Sequence, residues 1–206
     1  MHIGIDFDNT IVSYDALFHK VAVEQGAVPG ETPRNKNAVR DHLRQAGREP
    51  VWTEMQGYVY GARMDEAAAY EGVLEFMRWA RDAGLRLSIV SHKTRHPFMG
   101  PRYDLHAAAR GWIEHHLLAG GRALIDPQRV HFELTKEEKL ARIASAGCDW
   151  FIDDLPEILQ AAAFPATARP LLFDPDGHHT ALAALNRMAT WREIRSHFES
   201  LCSPKS

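Results

Sequence analysis

Short apolar runs alternate with amphipathic stretches along most of this chain. The first run, His2-Ile3-Gly4-Ile5-Asp6, reads as a buried strand, and a second, Leu85 to Val90, follows a helical stretch that closes at Gly84, a natural C-cap. Shorter strand candidates are Arg129 to Phe132, Asp149 to Asp153 and Arg169 to Phe173. Between and after them the apolar period lengthens to that of a helix over Gly72 to Ala83, Asp104 to Ala119, Lys136 to Ala146, Leu155 to Ala162 and Thr190 to Phe198. The start at Lys136 is the best marked, because Thr135 and Glu138 form a capping box. Strands alternating with helices predict a mostly parallel sheet covered on both faces, a Rossmann-like three-layer α/β core with five strands.

One segment breaks the alternation. From Ser13 to about Met64 the pattern holds only helical stretches, Ala16 to Gln25, Asn37 to Ala46 and Val51 to Tyr60, punctuated by Gly26, Pro29, Gly30, Pro33, Gly47 and Pro50. This is too much chain for a crossover loop. The expected organisation is a core of residues 1–12 and 65–206, with a small helical cap, 13–64, inserted after the first strand.

Composition narrows the class without naming a function. A chain of 206 residues can bury a full core. A formal net charge of −3 gives no basic footprint, so a nucleic-acid partner is not expected. No apolar run is long enough to span a bilayer, and Asp6 and Asp8 interrupt the N-terminal stretch where a secretory signal would be apolar, so the expectation is a cytoplasmic protein without membrane contact. Cys148 and Cys202 lack disulfide-framework or metal-ligand spacing and read as reduced thiols. The twelve histidines show no zinc pattern, since His115 and His116 are adjacent on a helix and should face apart, and His178-His179 sits in a turn.

Chemistry concentrates just after the strands. In an open α/β sheet ligands bind beyond the carboxyl ends of the strands. There this chain carries Asp6-Phe7-Asp8-Asn9-Thr10, then Ser91-His92-Lys93, then Lys136 and Lys139 at the start of a helix, then Asp153-Asp154. Four carboxylates at one edge would repel one another and raise each other's pKa unless a cation compensated them. A hard divalent ion such as Mg2+, which takes oxygen ligands and keeps positions open for water and phosphate oxygens, meets that need.

This ordered set resembles the four motifs of the haloacid-dehalogenase-like (HAD) hydrolase superfamily, in its phosphatase branch. The resemblance covers residues 1–12 and roughly 65–173; the cap matches in position alone. It implies a Mg2+-dependent phosphomonoesterase acting on a small phosphorylated metabolite, a nucleotide or a phosphosugar. Asp6 would attack phosphorus to form an aspartyl-phosphate, and Asp8 would serve as acid and then base. Ser91 and a lysine, Lys139 in preference to Lys136, would hold the transferring oxygens. Asn9, Thr10, His92 and Lys93 join Lys136 as further phosphate contacts. Asp6, the backbone carbonyl of Asp8, Asp154 and, directly or through a second layer, Asp153 would hold the metal. The cap would select the substrate, with Arg34, Lys36 and Arg63 as candidate contacts. A phosphotransferase or phosphomutase using the same nucleophile stays open, as does a phosphate-binding protein without catalysis. The oligomeric state is open too.

Overall fold

A computed structural model describes residues 1–180 and 185–203. The chain divides into two compact units. The first comprises Met1–Ile11, Ala69–His92 and Leu117–Ser206; the second comprises Val12–Ala68 and Lys93–His116.

The first unit is built on a sheet of strands β1 (His2–Ile5), β2 (Arg86–His92), β3 (Val130–Glu133), β4 (Trp150–Asp153), β5 (Arg169–Phe173) and β6 (Asn186–Met188). Their spatial order is β6-β5-β4-β1-β2-β3, and every pairing is parallel. The five expected strands are all present. The sixth, β6, has the sequence Asn-Arg-Met with no apolar alternation, because an edge strand this short is held by pairing with β5 rather than by burial.

Helices cover both faces. On one side α6 (Lys136–Ala146) and the single-turn α7 (Pro156–Leu159) bury Leu140, Ile143, Ile158 and Leu159 against Val90, Phe151 and Leu172. On the other side α4 (Val73–Asp82) and α8 (Trp191–Cys202) bring Phe76 within 5.1 Å of Trp191 and 5.8 Å of Phe198, with Trp150 5.4 Å from Phe198. Strand β1 is buried on both faces, as a central parallel strand must be. Gly4 is required there, because a Cβ would stand 2.6 Å from the Phe151 ring and 2.8 Å from Cys148 Sγ. The capping box at Thr135 is formed as expected, and α6 closes on Gly147 with φ of 67°.

The second unit holds α1 (Asp15–Glu24), α2 (Lys36–Gln45), α3 (Glu49–Tyr60) and α5 (Leu105–His116). Its core is Leu17, Phe18, Val21, Val39, Leu43, Trp52, Met55 and Val59. The expected insertion 13–64 lies within this unit, but residues 93–116 cluster with it as well. The packing explains why. On α3, a Cβ at Gly57 would lie 2.6 Å from Pro97 and one at Gly61 would lie 2.5 Å from Tyr103, so two glycines one turn apart admit the 97–103 segment onto the helix.

Two further expectations are revised. Helix α5 ends at His116 rather than Ala119, because Leu118–Ala119 pairs antiparallel with Arg122–Ala123 through Gly120 and Gly121, both at positive φ. His115 and His116 do not face apart: His115 Nδ1 lies 2.9 Å and His116 Nε2 3.2 Å from the same oxygen of Asp65, at the helix end where the last turn frees both rings. Among the described residues, no helix is long and apolar enough to cross a membrane.

Candidate active site

The register of the sheet assembles the site. Ile5 pairs with Ile89 on one side and Ile152 on the other, which sets Asp6 level with Asp153 and Phe7 level with Ser91. The Asp6 amide donates to the Ile152 carbonyl at 2.8 Å, carrying the sheet one residue past β1 before the chain turns away. Two carboxylates from separate strands thus leave the same edge side by side. The turn that follows places Asn9 at φ 59°, the one non-glycine residue with positive φ among those described, and closes with the Ile11 amide on the Phe7 carbonyl at 3.0 Å. Asparagine tolerates this left-handed conformation better than most residues.

Asp6 is 3% exposed and its Oδ1 lies 2.7 Å from the ammonium of Lys139. Lys139 itself has no exposed surface, and its Nζ also lies 2.6 Å from Asp153 Oδ2. The other Asp153 oxygen accepts the Leu155 amide at 3.0 Å, so Asp153, not Asp154, supports the turn into α7. Thr10 Oγ1 stands 3.4 Å from both Asp6 Oδ2 and Asp154 Oδ1. Its carbonyl accepts the Trp191 indole N–H at 3.1 Å, tying the turn to the start of α8. Nothing in the sequence separates Trp191 from an ordinary core tryptophan; only its ring nitrogen reveals the contact.

The charges around this cluster do not cancel. Carboxylate oxygens of Asp6, Asp153 and Asp154 all lie within 4.8 Å of one another, and among the described residues the ammonium of Lys139 pairs with Asp6 and Asp153. Burial raises the carboxyl pKa of Asp153 and the neighbouring Asp6 charge adds to it, with Lys139 opposing. Burial also pushes Asp154 well above the ordinary carboxylate range, reinforced by Asp6 and Asp153. Burial would lower the Lys139 pKa, but Asp153 and Asp6 outweigh it and raise it. Three acidic groups around one lysine leave excess negative charge in a dry place, and an all-oxygen donor set suits a hard divalent cation.

The remaining expected residues fall into three groups. Ser91 is buried at the end of β2, followed by half-buried His92, whose imidazole pKa is lowered by burial and then by Lys139. Asp8 and Asn9 are partly exposed beside the cluster. Thr10 is fully buried with its hydroxyl between the carboxylates of Asp6 and Asp154. Lys136, one turn before Lys139, is exposed and pairs with Glu157 at 3.1 Å; the helix period aims the two lysines differently, and only Lys139 reaches the carboxylates. Lys93 belongs to the helical unit, where its ammonium lies 4.8 Å from the centre of the Tyr60 ring. Arg63, also expected to meet substrate, is bound by Glu24 and Glu66.

The backbone aligns with that of solved structures described as HAD-superfamily hydrolases. The chain has the HAD-like hydrolase fold. A HAD family hydrolase from Deinococcus radiodurans R1, solved with bound phosphate and sodium, aligns over 100% of this chain and 98% of its own at 21% identity and a TM-score of 0.54. A predicted phosphatase from Clostridium acetobutylicum aligns over 97% and 98% at 15% identity and a TM-score of 0.59. An archaeal beta-phosphoglucomutase from Pyrococcus sp. strain ST 04 aligns over 98% and 97% at 12% identity and a TM-score of 0.57. No protein-family profile matches the chain, and no curated protein matches it. The HAD-like likeness is therefore one of backbone, with the motif residues at the expected strand ends.

Proposed function

We propose that the protein is a Mg2+-dependent phosphomonoester hydrolase that works through an aspartyl-phosphate on Asp6. The observation that carries this reading is the Asp6 carboxylate, buried at the end of β1 and held at 2.7 Å by Lys139, with Asp153 and Asp154 clustered beside it. A carboxylate so fixed has one oxygen engaged by the ammonium, while the other, met among the described residues only by the 3.4 Å contact from Thr10, is assigned to attack. Fixing it before reaction removes the entropy of orienting the nucleophile. In this reading an Asp6 oxygen bonds to phosphorus as the ester P–O bond breaks, and Asp8 gives its proton to the departing oxygen. Asp8 then takes a proton from water, which attacks phosphorus and releases phosphate from Asp6.

Asp6, Asp154 and the Asp8 carbonyl, with Asp153 behind them, are assigned to hold the metal. When bound, Mg2+ would neutralise the cluster and the phosphoryl oxygens that meet it. The Ser91 hydroxyl, at the level of Phe7, is assigned to a phosphoryl oxygen. Lys139 keeps Asp6 oriented. Thr10 braces Asp6 and Asp154 from behind. The helical unit is assigned to substrate choice, and the bound phosphate in the Deinococcus relative supports a phosphate-handling site on this fold.

A panel of small phosphomonoesters assayed with Mg2+, comparing wild type with Asp6→Asn, tests the proposal. Phosphate release by wild type and its loss in the variant is the expected result. Release that persists in Asp6→Asn would remove Asp6 as the nucleophile. Acceleration by an added sugar, with transfer to its hydroxyl, would place the chain with the phosphomutases.

A further inference from the structure

Trp191 belongs to α8, outside the strand-end motifs, yet it reaches the turn that carries the first of them. Its indole N–H donates to the Thr10 carbonyl at 3.1 Å, across a sequence separation of 181 residues and wholly inside the first unit. The side chain has no exposed surface. Its direction is set from several sides. Thr190 caps α8, its hydroxyl accepting the Glu193 amide at 3.1 Å, so the helix begins at a defined place. The rings of Phe76 and Phe173 lie 5.1 and 5.7 Å from the indole. A Cβ at Gly72 would stand 3.1 Å from that of Trp191, so the start of α4 packs close against it, and the φ of 88° at that position suits glycine.

A buried indole needs an acceptor, and any nearby carbonyl would meet that need. The acceptor here has a particular place. Thr10 follows Asn9, whose φ of 59° is sparsely populated by residues with a side chain and persists where the surroundings impose it. The Thr10 hydroxyl stands 3.4 Å from Asp6 and from Asp154, and its carbonyl lies two residues beyond that of Asp8, the backbone oxygen assigned to the metal. The far end of the turn is anchored by Trp191 at Thr10 and by the Tyr70 amide, which donates to the Ile11 carbonyl at 2.9 Å. A backbone ligand has no rotamer to adjust, so its aim is the aim of the turn.

We infer that Trp191 is a positioning residue of the metal site: its indole N–H fixes the turn after β1 so that the Asp8 carbonyl faces a cation held by Asp6 and Asp154. This rests on the metal assignment made in the phosphatase reading above. Outer partners of this kind orient ligands without touching the ion, and their removal lowers metal affinity about ten- to a hundredfold.

Trp191→Phe keeps an aromatic ring in the cluster and leaves the Thr10 carbonyl without this donor. Calorimetry of the full chain with Mg2+ alone at pH 8 is expected to show binding at least about tenfold weaker than in wild type. Phe198→Leu is the packing control, because Phe198 is buried on the same helix 5.8 Å from the Phe76 ring. It should lower the urea midpoint, as Trp191→Phe does, while keeping the wild-type Mg2+ affinity. An affinity in Trp191→Phe equal to that of wild type overturns the inference. So does an equal loss in both variants, which would make Trp191 a packing residue, and so does the absence of saturable Mg2+ binding by wild type. Should Trp191→Phe misfold by circular dichroism, wild type carrying 15N in the Trp191 indole decides: its N–H resonance is expected to move in step with Mg2+ binding, and a resonance that stays in place overturns the inference. If Mg2+ affinity falls as expected and wild type hydrolyses none of its phosphomonoester panel, the positioning role stands and the phosphatase reading falls. Turnover by wild type with unchanged Mg2+ affinity in Trp191→Phe gives the reverse.

Discussion

At the scale of single residues, Lys139 sits at the centre of the cluster. It is the only full charge among the described residues that touches both Asp6 and Asp153, and it does so without solvent exposure. Removing one member of a buried ion network strands the others, at a cost of about 3–5 kcal/mol. Lys139→Met is therefore expected to lose that much stability in urea unfolding, along with turnover. Lys136→Met, on the exposed face of the same helix, is expected to stay within about 0.5 kcal/mol of wild type, because its pair with Glu157 lies in water. Similar losses from the two variants would show that the buried geometry of Lys139 is not what matters.

At the scale of elements, two contacts carry more than their size suggests. The Thr135 hydroxyl accepts the Glu138 amide at 3.1 Å and the Glu138 carboxylate accepts the Thr135 amide at 3.2 Å, so the first turn of α6 is closed from both sides. Thr135→Ala should cost about 1 kcal/mol by thermal or urea unfolding. Because Lys139 lies in the next turn, any fraying there would also lower turnover. In the helical unit, α3 and the 97–103 segment meet at glycines. Gly61→Ala puts a methyl 2.5 Å from Tyr103, and with φ already at −105° the penalty is steric, about 1–3 kcal/mol. Gly30→Ala, with open space around it, serves as the control and should not show that loss.

At the scale of the whole molecule, the carboxylate cluster couples folding to pH and, on the proposed function, to metal. Asp153 and Asp154 have folded-state pKa values raised above the unfolded value, so the folded chain binds more protons than the unfolded one in the interval between them. Stability without metal should therefore fall as pH rises from about 4 through the raised values. A divalent cation held by the ionised carboxylates, as proposed above, would oppose that fall. Thermal unfolding with EDTA or with Mg2+ should show a stabilisation that is small at pH 5 and larger at pH 8. An equal shift at both values, or none at pH 8, would argue against metal binding at this cluster.

The alternation of buried runs and amphipathic stretches made the α/β core readable from the chain alone, because strand and helix periods are local properties. The carboxylates of Asp6, Asp8, Asp153 and Asp154 were readable for the same reason, the first two following β1 and the last two standing at the end of β4. What tertiary structure decided depends on distance between remote segments. Lys139 and Lys136 share a helix and a residue type, and only the docking of α6 on the sheet turns one toward Asp6 and leaves the other in water. Strand β6 exists by pairing, not by pattern, and Thr10 turned out to face two carboxylates that come from opposite ends of the chain's core. The 93–116 segment follows α3 because Gly57 and Gly61 leave room for it, a complementarity of shape that no period along the sequence records.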